Sequence, residues 1–355
     1  MSCYHPLKAF DISSVEGLTK NNKTNYKICS YEVNHLELIN NKLVPFSDEF
    51  RSANCARYLA DFIEIPCGKC IGCRLDYSRD WANRMMLEAS YHEQNYFITL
   101  TYDDLHVPKS YYPCPETGEA LPSLTLSKRD VQLFLKRLRK LSGQQFRYYL
   151  CGEYGSTTHR PHYHLIVFGL DLEDLQPLRT TDGWHYYTSP TIERAWSIYD
   201  RKTDTSIPIG YSMVTSVCWE TCAYVARYVT KKLNGAAVEF YDTFNILPEF
   251  CLMSRRPGIG RNYFDDNASD ILKYQKIILP SKEKSFKFRP PRYYDRLLDI
   301  DYPDEMADIR QIRKRTAENA RKMKLQKTDL NYIELLAVEE SNKLKQIKSL
   351  DRSEI

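Results

Sequence analysis

Arg160-Pro-His-Tyr-His-Leu-Ile-Val-Phe-Gly169 is an apolar run with two histidines at its head, and its reading decides the fold. Alternate side chains of a strand share a face. Read as a strand, the run puts His162, His164, Ile166 and Phe168 in one row, while Leu165 and Val167 face the other way. Two imidazoles side by side on a rigid strand can hold one divalent metal ion. The same pair at a strand end is also ordinary surface decoration, so its meaning rests on its surroundings.

Immediately upstream, Phe146-Arg-Tyr-Tyr-Leu-Cys151 reads as a second strand, and a turn-rich loop from Gly152 to Pro161 joins it to the first. If the two strands pair as a hairpin, the Glu153 carboxylate approaches the imidazoles. Two histidines and one carboxylate leave open positions on an ion. Mg²⁺ or Mn²⁺ suits such a site and acts there as a Lewis acid on a phosphate oxygen. His159, on the loop, is a less well placed substitute ligand.

Further out, Tyr96-Phe-Ile-Thr-Leu-Thr-Tyr102 is a strand rich in β-branched and aromatic residues. Residues 108–124 carry Pro and Gly and read as a loop. Ser127 caps a helix with Asp130 three positions on, a start resembling a capping box, and Val131, Phe134, Leu135, Leu138 and Leu141 form its buried stripe. Arg74 to Tyr91 has apolar residues at three- and four-residue steps and reads as a helix. Residues 171–211 mix helical and irregular pieces, Met213 to Val217 looks like a strand, and Trp219 to Leu233 reads as a helix stopped by Asn234-Gly235. This order predicts an α+β fold in which a central antiparallel sheet carries helices on one face. Residues 1–60 read as polar and irregular, and beyond about 303 charge predominates, as in a long exposed helix or a disordered tail.

The helix at 219–233 holds the second cluster of chemistry. Tyr224 and Tyr228 are four apart and share a face, with Lys231 on nearly the same side and Lys232 beside it. A phenol can serve as a nucleophile once something favours its deprotonation, and a neighbouring ammonium does so. An amphipathic helix with core tyrosines is the plainer account of the same spacing. Arg255-Arg-Pro-Gly-Ile-Gly-Arg261 offers Arg255, Arg256 and Arg261 around two glycines, the makings of a phosphate-binding loop or of a solvated turn.

Composition bounds the rest. The 355 residues are 43% hydrophobic and 27% charged, with a formal net charge of only +4, so any basic surface must come from local clustering. No apolar run is long enough to cross a membrane and no apolar leader opens the chain, which predicts a cytoplasmic protein. Its 11 cysteines are then expected as thiols or metal ligands. In Pro66-Cys-Gly-Lys-Cys-Ile-Gly-Cys73 the cysteines Cys67, Cys70 and Cys73 are spaced by two, and Pro and Gly argue for a turn. Such a knuckle holds Zn²⁺ when a fourth ligand arrives. Cys3, His5 and Cys55 are candidates, with Cys3 favoured because it would tie down the N-terminal segment. An iron–sulfur pattern ranks lower, because the usual fourth Cys and following Pro are missing.

Three of these motifs, taken in order, resemble those of rolling-circle replication initiators of the HUH endonuclease superfamily: Phe97-Ile-Thr-Leu-Thr-Tyr102, Pro161-His-Tyr-His164-Leu-Ile-Val, and Tyr224-x-x-x-Tyr228-x-x-Lys231. The chain is most similar to the initiators of microviruses, small single-stranded DNA phages, in their gokushovirus branch. That likeness spans about residues 60–235 and takes in Pro66-Cys-Gly-Lys-Cys-Ile-Gly-Cys-Arg74, Gly152-Glu-Tyr-Gly155 and Trp219-Glu-Thr-Cys-Ala-Tyr-Val-Ala-Arg227. Tyr163, between the histidines, is bulkier than the aliphatic residue of many relatives.

The resemblance implies an endonuclease core on an RRM-like or ferredoxin-like sheet at 96–235. It would be preceded by an N-terminal segment with knuckle and helix at 1–95, and followed by a DNA-contact region at 236–302 and a charged tail at 303–355. It implies a metal held by His162, His164 and Glu153 that polarises the scissile phosphate of a single-stranded origin. One of Tyr224 and Tyr228 would attack, assisted by Lys231, to leave a 5′-phosphotyrosine and a free 3′-OH, and the second tyrosine would serve in closure. Arg227, Lys232, Arg255, Arg256 and Arg261 would contact DNA. A host polymerase is an implied partner, and so is a host helicase, since the chain has no Gly-x-x-x-x-Gly-Lys-[Ser/Thr] loop. The competing expectations are a relaxase or transposase of the same chemistry, and a non-catalytic nucleic-acid-binding protein with a zinc knuckle. Relaxases generally use three histidines, and Glu153 in the third place favours an initiator.

Overall fold

The computed structural model describes residues 3–13, 26–46, 54–55, 57–155, 157–181, 183–200, 202–228, 238–280 and 285–351, without the side chains of Tyr228 and of residues 348–351. Two compact units divide the chain: Met1–Asp76 together with Asp308–Ile355, and Tyr77–Ala307.

The described elements begin with β1 (Leu7–Asp11), β2 (Tyr26–Ser30), β3 (His35–Ile39), β4 (Lys42–Phe46), β5 (Arg57–Leu59), β6 (Phe62–Ile65) and α1 (Ile71–Ala89). There follow β7 (Asn95–Thr101), β8 (Lys109–Pro113), β9 (Ala120–Leu124), α2 (Lys128–Ser142), β10 (Arg147–Tyr154) and β11 (Pro161–Phe168). Next come β12 (Gln176–Thr181), β13 (Trp184–Thr188), α3 (Pro190–Ala195), β14 (Ser197–Asp200), β15 (Thr205–Pro208), β16 (Ser212–Ser216) and α4 (Trp219–Tyr228). The chain continues through α5 (Glu239–Thr243), β17 (Phe250–Met253), α6 (Arg261–Tyr274), β18 (Ile277–Leu279), β19 (Phe286–Phe288), α7 (Arg292–Asp301), α8 (Pro303–Leu325) and α9 (Tyr332–Asp351).

The Tyr77–Ala307 unit is built on a seven-stranded sheet in the order β12-β13-β16-β7-β11-β10-β17, antiparallel throughout. The α+β antiparallel expectation therefore holds. Helices, expected on one face, cover both. On one side Ile98, Leu100, Leu150, Tyr163, Leu165 and Val167 pack with Val131, Phe134 and Leu138 of α2 and Ile192 of α3. On the other, Phe97, Tyr149, Ile166 and Phe168 pack with Ala82 and Met85 of α1 and Val225 and Ala226 of α4. The reason is in β11 itself: every residue from Tyr163 to Phe168 is buried, so both of its rows need cover.

Three stretches read as loop or irregular are strands. Residues 108–124 form the hairpin β8–β9, 171–211 hold β12 to β15 around the short α3, and 1–60 hold β1 to β5. These strands are short and largely exposed, so they lack the alternation of apolar residues that marks a half-buried strand. The charged tail is helical, as α8 and α9. Of the helix expected at 219–233, α4 reaches Tyr228 and residues 229–233 lie outside the described residues. Among the described residues, no helix is long and apolar enough to cross a membrane.

Tyr163 links sheet to helix. Its ring is fully buried on the face opposite the histidines, and its hydroxyl accepts from the Ser127 amide at 2.7 Å and bonds Tyr102 Oη at 3.1 Å. Ser127 Oγ in turn accepts from the Asp130 amide at 3.2 Å, as expected of the cap. The reciprocal half of the capping box is absent: the Ser127 amide goes to Tyr163, and the Asp130 carboxylate accepts from Tyr102 Oη at 2.8 Å.

Candidate functional site

The register fixes which side chains meet. Across from β11, His162 faces Glu153 of β10 and Thr101 of β7, while His164 faces Cys151 and Thr99. Directly opposed residues point to the same face, so the hairpin brings the carboxylate to the histidines. Glu153 and His164 are both buried, and His164 Nε2 lies 3.0 Å from Glu153 Oε1. An ionised carboxylate only accepts, so Nε2–H donates to it; Nδ1 is then left to accept from the Thr99 hydroxyl at 3.1 Å. The imidazole also stacks on Phe97, with ring centroids 5.7 Å apart and planes 5° from parallel.

His162 is held differently. Its Nδ1 donates to the Arg160 carbonyl at 2.7 Å, which leaves Nε2 as the lone-pair nitrogen. Burial, opposed by that hydrogen bond, pulls its pKa below the ordinary value and keeps the ring neutral. A neutral imidazole whose second nitrogen is tied to a carbonyl is the form in which histidine binds metal.

These residues suit a Mg²⁺ or Mn²⁺ ion in donor chemistry and in part in spacing. Two cis ligands roughly 2.1 Å from an octahedral ion stand about 3.0 Å apart, which is the His164–Glu153 separation. His162 stands farther off. Among the described residues, only four cysteines bring three or more such ligand atoms within 4.8 Å of one another, so the His162 ring must swing in to share an ion with the other two.

Tyr224 projects from α4 onto this cradle. Its ring meets the His164 ring edge-on at 5.3 Å and the Phe97 ring at 6.1 Å, and it is 37% exposed. The helix is seated by Cys222, Val225 and Ala226, which are buried against the sheet. Tyr228 closes α4 one turn later, its side chain outside the description; Lys231 and Lys232 lie outside the described residues.

Other expected site residues are placed as follows. Arg227 is exposed on α4, and Arg255 and Arg256 are exposed in the turn after β17. Arg261 opens α6 and pairs with Asp265 at 2.6 Å. The glycines between these arginines are engaged by the protein itself. The Gly260 amide donates to Glu88 at 2.6 Å, and a side chain on Gly258 would meet the Tyr293 hydroxyl at 2.7 Å. Arg84, held between Trp81 and Tyr293, donates twice to the Ile259 carbonyl. The loop's backbone thus packs against α1 and α7, and its exposed arginines are what it offers to a ligand. His159 sits on the loop before β11, where its amide donates to the Gly155 carbonyl.

In the other unit Cys3 joins Cys67, Cys70 and Cys73, while the other two candidates are engaged elsewhere: His5 with Glu340 at 2.6 Å and Cys55 with the Arg57 carbonyl at 3.0 Å.

Sequence reasoning passed over two features. Phe97 forms the floor under His164, and its place in the Phe97–Tyr102 strand, two before Thr99, was the available signal. A cleft of about 580 Å³ is lined by Tyr154, Gly155, His159, Phe240, Tyr241 and Phe244, next to the loop that leads into the histidines. Its aromatic residues come from segments far apart in sequence.

A sheet that presents two histidines and a glutamate to a tyrosine-bearing helix fits the replication proteins of single-stranded DNA phages. Residues 95–233, which contain all of these elements, match the family of replication-associated proteins typified by ORF2. The chain is 31% identical over 265 residues to replication-associated protein VP4 of Bdellovibrio phage phiMH2K, covering 72% of this chain and 74% of that protein. It is 29% identical over 311 residues to replication-associated protein ORF2 of Spiroplasma virus 4, covering 86% and 82%. It is 28% identical over 239 residues to replication-associated protein ORF4 of Chlamydia phage 1, covering 66% and 53%. No solved structure matches. The chain belongs to this family of phage replication-associated proteins.

Proposed function

We propose that the protein initiates rolling-circle replication by cutting and rejoining single-stranded DNA at an origin. The observation that carries this reading is the buried His164–Glu153 pair with the Tyr224 ring 5.3 Å from His164. His164, Glu153 and His162 would hold Mg²⁺ or Mn²⁺, which supplies Lewis-acid polarisation of a phosphoryl oxygen.

The chain's residues do the rest. A tyrosine of α4 attacks phosphorus through its phenolic oxygen. The bond from phosphorus to the 3′ oxygen breaks, and the phenolic proton leaves, so that the products are a 5′-phosphotyrosine and a free 3′-OH. Lys231 would favour the phenolate. A polymerase of the host extends the 3′ end. The second tyrosine cuts the regenerated origin, and the new 3′-OH attacks the first linkage to close a circle. Arg227, Arg255, Arg256, Arg261 and Lys232 would meet the DNA backbone, and the aromatic cleft beside His159 suits unpaired bases that stack on ring faces.

The test is to incubate the protein with an origin-bearing single strand and Mn²⁺ and look for a protein–DNA band that survives denaturation. It should disappear when Tyr224 and Tyr228 are both Phe, and when His162 or His164 is Ala. A band that persists in the double Phe variant sinks the tyrosine assignment. Binding with no covalent band in the unaltered protein favours the non-catalytic reading.

A further inference from the structure

We propose that Cys3, Cys67, Cys70 and Cys73 form a structural site for one Zn²⁺ ion, separate from the chemistry of the histidine face. Their sulfurs all lie within 4.8 Å of one another, and the Cys3–Cys70 and Cys67–Cys73 pairs are each 4.0 Å apart. Four thiolates at roughly 2.3 Å from a tetrahedral ion stand about 3.8 Å from each other. The observed spacing is close to that, and about twice a covalent S–S bond. All four residues are free cysteines. Caging several irons needs thiolates set farther apart, so a single ion fits better than a cluster.

The backbone around the sulfurs is arranged for thiolates. Five amides point at three of them: Lys69 and Cys70 at Cys67 Sγ (3.4 and 3.3 Å), Tyr4 and Cys73 at Cys70 Sγ (3.4 and 3.5 Å), and Cys67 at Cys3 Sγ (3.2 Å). A neutral thiol is a weak acceptor, and so many donors aimed at sulfur offset the negative charge that four thiolates leave on a divalent ion. Gly68, at φ +74°, supplies the left-handed turn that folds the Lys69 and Cys70 amides back onto Cys67. Cys73 sits in the first turn of α1. Soft sulfur donors in a tetrahedral, closed set select zinc.

The site has an evident task. β1 pairs antiparallel with β6, Leu7 opposite Ile65. Cys3 precedes the first strand and Cys67 follows the second, so both lie at the same end of the ladder. The ion would clip together two points 64 residues apart in sequence and fix both to the start of α1.

The experiment uses the untagged full-length chain. Elemental analysis after dialysis should give one zinc per chain, and the cobalt-substituted protein should show the strong sulfur-to-cobalt charge-transfer absorption of a tetrathiolate. The zinc should fall to background in Cys3→Ser and Cys70→Ser, and persist in Cys114→Ser and in the double variant His162→Ala/His164→Ala. The last arm separates this site from the histidine site, so either can fail without the other. If the cysteine variants do not fold, the cobalt spectrum of the unaltered chain decides. A chain that carries no stoichiometric metal and whose four thiols react freely with Ellman's reagent while folded would overturn the proposal. So would iron in place of zinc, or zinc retained by Cys70→Ser.

Discussion

Replacing Tyr163 with Phe separates the architecture of the histidine strand from its chemistry. The ring keeps its place in the core, where it is 0% exposed, and only the hydroxyl is lost. That hydroxyl accepts from the Ser127 amide at 2.7 Å and meets Tyr102 Oη at 3.1 Å, so its removal strands a donor at the start of α2. Leaving a buried donor unsatisfied costs about 1–3 kcal/mol. For a unit as large as Tyr77–Ala307, each kcal/mol moves the melting temperature by roughly 2–4 °C, so a loss of about 2 kcal/mol means roughly 4–8 °C. The assay is a thermal melt of the full chain by circular dichroism, with covalent adduct formation measured on the same preparation well below the transition. Adduct yield should stay within about twofold, since Tyr163 points away from the histidine face. An unchanged melting temperature refutes the capping argument, and loss of the adduct in a folded chain refutes the claim that the two faces are independent.

Three further outcomes follow from the same geometry. His164→Gln and Glu153→Gln should each weaken Mn²⁺ binding at least about tenfold by calorimetry, while an unchanged affinity in both excludes this pair as ligands. Gly260→Ala should cost about 1–3 kcal/mol in urea denaturation; the residue has φ +76°, and a Cβ there would lie 3.0 Å from the Tyr294 hydroxyl and 3.2 Å from the Arg84 carbonyl. His162 gives stability a pH dependence: its folded pKa is depressed below the ordinary 6.5, so the unfolded chain takes up its proton first. That contribution is present above the unfolded pKa and lost as pH falls through the folded one, and urea midpoints of His162→Gln across pH 5–7 should lack this component of the slope.

The sheet's centre was legible because its signals are local. The strands at Tyr96–Tyr102, Phe146–Cys151 and the histidine run announced themselves by composition, and the hairpin logic that brings Glu153 toward His164 needs only strand periodicity and a short loop. The choice of Cys3 among three candidates was legible for a similar reason, since a loose segment gains most from a clip. What stayed hidden depends on distant partners. The edge strands β12 to β15 are exposed and carry little apolar alternation. The glycines at 258 and 260, read as room for phosphate, accommodate Tyr293 and Tyr294 instead, residues more than thirty positions away. Gly210 is the same case: a Cβ there would fall 1.9 Å from the Thr101 carbonyl, a contact that β7 imposes from over a hundred residues upstream. Nor does composition reveal that residues before Asp76 and after Asp308 make one unit.

The order in which two tyrosines act follows from the same frame. The His164–Glu153 pair is fixed on strands, tied by Thr99 and floored by Phe97, so a phosphate held there has one position. Tyr224 and Tyr228 ride on a helix, where four residues advance by about 6 Å along the axis. A single placement of α4 therefore presents one phenol to that phosphate, and the placement observed presents Tyr224, its ring against His164 and partly open to solvent. Tyr224 is then expected to make the first cut, with Tyr228 acting once the regenerated origin approaches from the other turn. On a single-stranded oligonucleotide, Tyr224→Phe should form no adduct, whereas Tyr228→Phe should form it in full yield and fail only in the later transfer that closes a circle. The opposite pattern, an adduct from Tyr224→Phe and none from Tyr228→Phe, would mean that α4 slides by a turn when DNA binds, and that the contact between Tyr224 and His164 belongs to the resting protein alone.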